Sequence, residues 1–168
     1  MPNTINKRMT ARIEGDFVVF LIGARINRPW RIGKLLRFGK AMPRMLRELQ
    51  QKPELGLLGF ETYGALRSVI IQYWRSWEHL EAFARGKEAT HYPEWLWFNQ
   101  NVGSNGDFGI WHETYLVHAG EYEAVYNNMP ARGLGRAAEL VPATGRLASA
   151  AGRLNREAKS APPENSYE

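Results

Sequence analysis

Cysteine is absent from all 168 residues. That excludes disulfides, zinc–thiolate sites, iron–sulfur clusters and thiol nucleophiles. A chain without disulfides fits a reducing compartment, and the cytoplasm is the expected location. Long apolar runs are missing too. The longest, Phe17–Ala24, is far short of the ~18 residues that cross a bilayer, so no membrane span is expected. Lys7, Arg8 and Arg12 ahead of it give a faint likeness to a secretory leader. Glu14 and Asp16 sit directly before the run, however, and its β-branched and aromatic content suits a buried strand. Glycine-rich phosphate loops are lacking. Gly23 and Gly133-Leu-Gly135 stand alone, so nucleotide binding has no support. No G-x-S-x-G elbow is present for a serine nucleophile. The four histidines, 79, 91, 112 and 118, form neither H-E-x-x-H nor a carboxylate facial set at local spacing.

Acidic residues are scarce in the first third. Residues 1–52 hold 12 basic and 3 acidic residues, residues 53–130 hold 4 and 10, and residues 131–168 hold 6 and 4. A basic amino-terminal third raises nucleic acid or an anionic membrane as partners. The layout has a plainer reading. Arg25, Arg28, Arg31, Lys34, Arg37 and Lys40 recur every third residue, while Ile32, Leu35, Leu36, Met42, Leu46 and Leu49 fall on a helical stripe. That describes an amphipathic helix with a solvated, charged face. The acidic middle third and the lack of a reading motif argue against nucleic acid.

What is abundant is aromatic: six Trp, seven Tyr and seven Phe, enough to line a pocket as well as a core. The length suits one domain with a sizeable core. Along it, residues 1–12 are polar and read as a flexible amino terminus. Residues 17–25 read as a strand. Pro29 and Trp30 open a helix over about 30–50, which Pro43 should kink or split, with Gly39 adding to the weakness. Lys52-Pro-Glu-Leu-Gly56 is a turn. Leu57–Tyr63 and Arg67–Trp74 form a hairpin around Gly64-Ala65. Ser76 is the N-cap of a further helix, with His79 in the place where a capping box has Glu or Gln. A helical piece over about Pro93–Val102 follows, then a loop, then a strand over Phe108–Val117. Tyr122–Asn127 is a last short strand or a helical turn. From Pro130 the composition shifts to Ala, Gly, Arg, Pro and Ser. Residues 13–130 are thus the expected domain, 131–154 a carboxy-terminal arm able to wrap a neighbouring subunit, and 155–168 a disordered tail. The order β-α-β-β-α-β is the ferredoxin-like plan: an α+β fold, its antiparallel sheet covered by helices on one face. A second copy could cover the other face.

The strand Phe108–Val117 carries the chemistry. Side chains alternate along a strand, so Phe108, Ile110, His112, Thr114 and Leu116 share one face, and Trp111, Glu113 and Tyr115 the other. Glu113 therefore cannot easily pair with His112. Three readings of His112 stay open: a core histidine bonded to backbone or water, an axial ligand to haem iron, and a general base acting on an activated substrate. His91, Trp95 and Asn99 recur at four-residue steps. They read as packed aromatics at a helix start or as one wall of a pocket, with Asn99 or His91 as polar handle. Arg75 could pair with a ligand carboxylate or snorkel at a strand end.

Several blocks together resemble a known family: Arg12-Ile-Glu-Gly-Asp-Phe-Val-Val-Phe20, Met42-Pro-Arg-Met-Leu46, Tyr73-Trp-Arg-Ser-Trp-Glu-His-Leu-Glu-Ala-Phe83, Ile110-Trp-His-Glu-Thr-Tyr115 and Tyr126-Asn-Asn-Met-Pro130. They are similar to a bacterial and fungal monooxygenase-like family that includes a fumagillin-pathway oxygenase. The resemblance covers roughly residues 8–150. It implies the dimeric α+β barrel fold of the antibiotic-biosynthesis monooxygenases, and hence a homodimer. The Tyr-Trp-x-Ser-x-Glu-x-Leu-x-Ala block with a downstream histidine, here His91, is typical of that group; it speaks to fold more than to chemistry. A shorter stretch, His112-Glu-Thr-Tyr-Leu-Val and then Tyr122-Glu-Ala-Val-Tyr-Asn-Asn-Met-Pro130, resembles the haem-ligand region of aldoxime dehydratases. There His112 matches the ligand position, while Met129-Pro130 stands where that family has His-Pro, which puts dehydration chemistry in doubt. These resemblances imply an oxidoreductase acting on a small hydrophobic molecule. Haem b would be held by His112 as metal ligand, with Ile110, Thr114 and Trp74 beside the cofactor and Trp95, Asn99, Arg75 and Tyr73 beside the substrate. The alternatives are cofactor-independent oxygenation with His112 or His91 as base, and a haem- or ligand-binding module without turnover.

Overall fold

Two antiparallel sheets organise the chain. The computed structural model describes residues 3–64, 67–86, 92–93, 96–97, 100, 103 and 105–156. These divide into two units: Asp16–Val117, and a second made of the flanking segments through Gly15 and from His118.

In the first unit the elements run β2 (Phe17–Ile26), α1 (Ile32–Gln51), a 3-10 turn (Pro53–Leu55), β3 (Leu57–Tyr63), β4 (Arg67–Trp74), α2 (Trp77–Arg85) and β5 (Phe108–Val117); β1 (Ile5–Arg12) belongs to the other unit. The sheet order is β3-β4-β2-β5. All pairs are antiparallel, which is the ferredoxin-like α+β arrangement expected from the element order. The second half of α1 sends Leu49 into a cluster with Val18, Trp74 and Leu80, joined by Phe20, Leu57 and Phe83. Val18 pairs with Trp74 across β2 and β4. The even-numbered residues of β2 and β4 therefore face the helices, and the odd-numbered ones face away.

Local chemistry explains the boundaries. Ser76 caps α2: its hydroxyl accepts from the His79 amide at 3.4 Å and bonds the His79 ring at 2.9 Å. That ring lies where a side chain on Gly56 would be, and Gly56 has a φ of 91°. Glycine is the residue that allows both the left-handed turn and the close approach. Contrary to expectation, Pro43 does not split α1, which runs unbroken over 20 residues. The amide that proline lacks would have bonded the Gly39 carbonyl, so the two weak points fall on one turn and cost one bond rather than two.

The second unit departs further from the sequence reading. Residues 5–12 are not loose: Ile5–Arg12 is β1, the centre of a sheet ordered β6-β1-β7. Its partners are β6 (Tyr126–Met129) and β7 (Glu139–Pro142), with the short helices α3 (Leu134–Ala137) and α4 (Ala150–Arg153) beyond them. Part of the expected arm is thus a strand pairing with the amino terminus, from Met9↔Pro142 to Arg12↔Glu139. Met9, Thr10, Ala11, Leu134 and Ala143 are buried. The two units divide near 15 and 117, where the sequence reading set limits of 13 and 130. The tail from residue 157 and most of the helical piece at 93–102 lie outside the described residues.

Candidate active site

Among the described residues β5 is an edge strand, paired in its sheet with β2. Ile22↔His112 and Phe20↔Thr114 fix the register, so His112 is on the helix side. Its ring centroid is 5.7 Å from that of Phe20, at an interplanar angle of 38°. The imidazole is exposed, which removes the reading of a histidine sealed in the core. Among the described residues its ring nitrogens have no hydrogen-bond partner; the contact with Phe20 is the interaction it makes. Ile110, 45% exposed, and Thr114 line the same face of the strand.

The other expected neighbours do not converge on it. Trp74 is 1% exposed, inside the core. Its indole donates to Gln72 Oε1 at 2.9 Å and its ring packs on Phe83. From the register it lies four residues along the sheet and two strands across from His112, about 13 Å by about 10 Å. It cannot line a cofactor bound at that imidazole by direct contact. Tyr73 pairs with Val19 and faces the helix-free side. Arg75 follows β4 and is exposed, its amide donating to the Gly56 carbonyl at 2.8 Å and its guanidinium reaching the Pro53 carbonyl at 3.4 Å. It caps the turn. The physical reason is topological: β2 intervenes between β4 and β5. His91, Trp95 and Asn99 lie outside the described residues.

Two groupings escaped the sequence reading. On the helix-free face of β5, the Tyr115 hydroxyl donates to Glu113 Oε2 at 2.6 Å. The carboxylate raises the phenol pKa above its ordinary value by that hydrogen bond and by its charge. Strand parity already put both residues on one side; that was the available signal. In the second unit, a cavity of about 440 Å³ is lined by Thr10, Arg12, Tyr122, Glu123, Arg146 and Arg153, among others. Arg153 is committed to Glu123 and to the Leu147 and Ala148 carbonyls, at 2.6, 2.8 and 3.1 Å. The Tyr122 hydroxyl is held by the backbone of Ile13. No sequence pattern announces this cavity, because long-range pairing of β1 and β7 builds it.

The geometry defines a ferredoxin-like α+β domain with an accessible imidazole, its nitrogens unbonded among the described residues, on the helix-side face of β5. The family model described as Monooxygenase af470-like matches residues 17–134, and the chain belongs to that family. A relative, monooxygenase af470 of Aspergillus fumigatus, is 30% identical over 159 residues, covering 81% of this chain and 56% of that protein. The chain therefore spans little more than half of that relative's length. Among solved structures, Rv0793 from Mycobacterium tuberculosis is similar at a TM-score of 0.40 and 17% identity, covering 58% of this chain and 92% of that one. A dimeric ferredoxin-like protein from an uncultured marine organism gives 0.31 and 16%, covering 62% and 96%. The fold assignment follows from the strand order and does not depend on these two likenesses.

Proposed function

We propose that the protein is an oxidoreductase of monooxygenase type that acts on a small hydrophobic molecule, with His112 as its functional imidazole. The observation that carries this reading is the exposed His112 ring, unbonded at its nitrogens among the described residues, standing on an apolar face with Phe20, Ile22 and Ile110. Glu113 is turned away and engaged with Tyr115, so no carboxylate is shown orienting the ring.

That donor suits a haem. An imidazole nitrogen is a standard axial ligand, and thiolate ligation is impossible in a chain without cysteine. His112 would hold the iron, with Ile110, Thr114 and Phe20 against the macrocycle. A haem held there supplies redox-active iron; the chain supplies the ligand, an apolar bed and the orientation of the substrate. The same exposed imidazole supports a second reading, in which His112 removes a proton from an activated substrate and no cofactor takes part. A homodimer whose second sheet covers the helix-free face completes the proposal.

A haem titration followed by ultraviolet–visible spectroscopy tests the ligand role. The expected result is a Soret band on haem addition, and at least about a tenfold loss of affinity in His112→Ala, since losing even an outer-shell partner of a metal ligand costs about 10–100-fold. Absence of the band removes the haem reading. His112→Ala with undiminished haem affinity removes the ligand assignment. Oxygen uptake lost in His112→Ala without any Soret band in the parent protein leaves the base reading in its place.

A further inference from the structure

We propose that the first half of α1, with the residues leading into it, binds the surface of an anionic lipid bilayer. Between Phe17 and Arg47 there is no acidic residue and there are eight basic ones: Arg25, Arg28, Arg31, Lys34, Arg37, Lys40, Arg44 and Arg47. Arg28 is committed to Asp107 at 3.2 Å. Beside these charges stand apolar side chains left in solvent. Trp30 is 68% exposed, Ile32 64% and Leu36 61%. Ile32 and Leu36 are four residues apart and share a helix face. Trp30 lies two residues before Ile32, and tryptophan is a residue that favours the boundary between headgroups and acyl chains.

The helix divides by burial. Leu46 and Leu49 in its second half are buried. No described side chain from position 31 to 40 is. The described side chains of that half, Ile32 and Leu36 among them, thus stand outside the core. α1 is low in average hydrophobicity, which suits a helix lying in a membrane interface rather than one crossing it. Among the described residues no helix is long and apolar enough to cross.

Charge selects lipid over a second copy as the occupant. A second copy would have to present carboxylates around an apolar centre. Within the same unit Glu48 pairs with Lys52, Glu81 with Arg85, Asp107 with Arg28, Glu113 with Tyr115 and Glu78 with Ser76, while Glu61 is buried; the other described carboxylates are Asp16 and Glu54, two against eight basic residues. Anionic headgroups need no such release.

The test is co-sedimentation of the full chain with phosphatidylcholine vesicles, with and without phosphatidylglycerol. Binding is expected only to the anionic vesicles and should fall as salt rises. Arg31→Gln and Lys40→Gln should each weaken it by about fivefold. The combined Trp30→Ser, Ile32→Ser and Leu36→Ser variant should weaken it by at least about tenfold. No binding, equal binding to neutral vesicles, or an unaffected triple variant overturns the proposal. So does light scattering in which the triple variant dissociates a dimer while vesicle binding is unchanged, because the patch then belongs to a second copy. Should the triple variant not fold by circular dichroism, brominated-lipid quenching of the parent protein against Trp30→Phe decides. A quenching difference supports the proposal and none overturns it.

Discussion

Gly23→Ala is a one-carbon change with a large expected effect. Gly23 pairs with Trp111, and both lie on the helix-free face. A methyl built at Gly23 would overlap the indole Nε1 and Cε2 atoms and stand 2.6 Å from Cζ2. The indole occupies the space that the methyl needs and must swing away. Trp111 is 42% exposed, so about 140 Å² of a roughly 250 Å² side chain is covered. At about 25 cal/mol per Å² that cover is worth about 3.5 kcal/mol as an upper bound. Neighbours other than Gly23 provide part of it, so expulsion forfeits about half, roughly 2 kcal/mol. Alanine recovers about 0.5–1 kcal/mol, because glycine is the more costly residue to order in a strand. The net expectation is a loss of about 1 kcal/mol.

A double-mutant cycle isolates the cause. In a Trp111→Ala background nothing obstructs the new methyl, and Gly23→Ala should be neutral or stabilising by about 0.5–1 kcal/mol. Urea denaturation of the four proteins gives a coupling energy near 2 kcal/mol, well above its usual error for neighbours. If Gly23→Ala costs the same with and without the indole, Trp111 does not seat on Gly23 and the reasoning fails.

Two further outcomes follow from local bonds. Ser76→Ala removes the α2 cap and should cost about 1 kcal/mol by denaturant titration. The Ser76 hydrogen bond is also the largest cause holding the Glu78 carboxyl below its ordinary pKa. The Glu78 carboxyl carbon, followed by NMR, should therefore titrate at higher pH in the variant, and an unmoved titration would contradict the assignment. In the second unit, burial raises the Tyr126 pKa above its ordinary value, and its hydroxyl accepts from the Gly135 amide at 2.8 Å. A raised folded-state pKa contributes stability that is complete below about pH 10 and lost as pH rises through the folded value. Tyr126→Phe should therefore be less stable at neutral pH and show less alkaline loss than the parent; identical alkaline limbs would refute this.

The ferredoxin-like unit was legible because its strands are long and bounded by recognisable turns. Residues 17–25, 57–63, 67–74 and 108–117 were all found within a residue of β2 to β5. The second unit was not. β1 buries Met9, Thr10 and Ala11 in succession, so it lacks the period-two pattern that marks a strand with one wet face. β6 and β7 are four residues each, too short to show a period. Only their pairing with β1 makes them strands. The site fared similarly. Parity gave the face of His112 correctly. It could not show how far β2 separates β4 from β5: Trp74, expected beside the cofactor, and Tyr73 and Arg75, expected beside the substrate, stand across β2 from His112.

Register is where sequence and candidate chemistry meet. Because β5 alternates, one pairing puts His112 beside Phe20 and sends Trp111, Glu113 and Tyr115 to the helix-free face. A slip of one residue would exchange the two sets. An edge strand has a neighbour on one side only, so β2 alone must supply the discrimination. Along the helix-free face β2 presents Phe17, Val19, Leu21, Gly23 and Arg25, and only Gly23 leaves room for a ring pressed onto backbone. The indole fits at that one position. Shifted by two residues, which keeps its face, it would meet Leu21 or Arg25. Gly23 and Trp111 therefore act on His112 without touching it, by fixing which residue of β2 it stands beside.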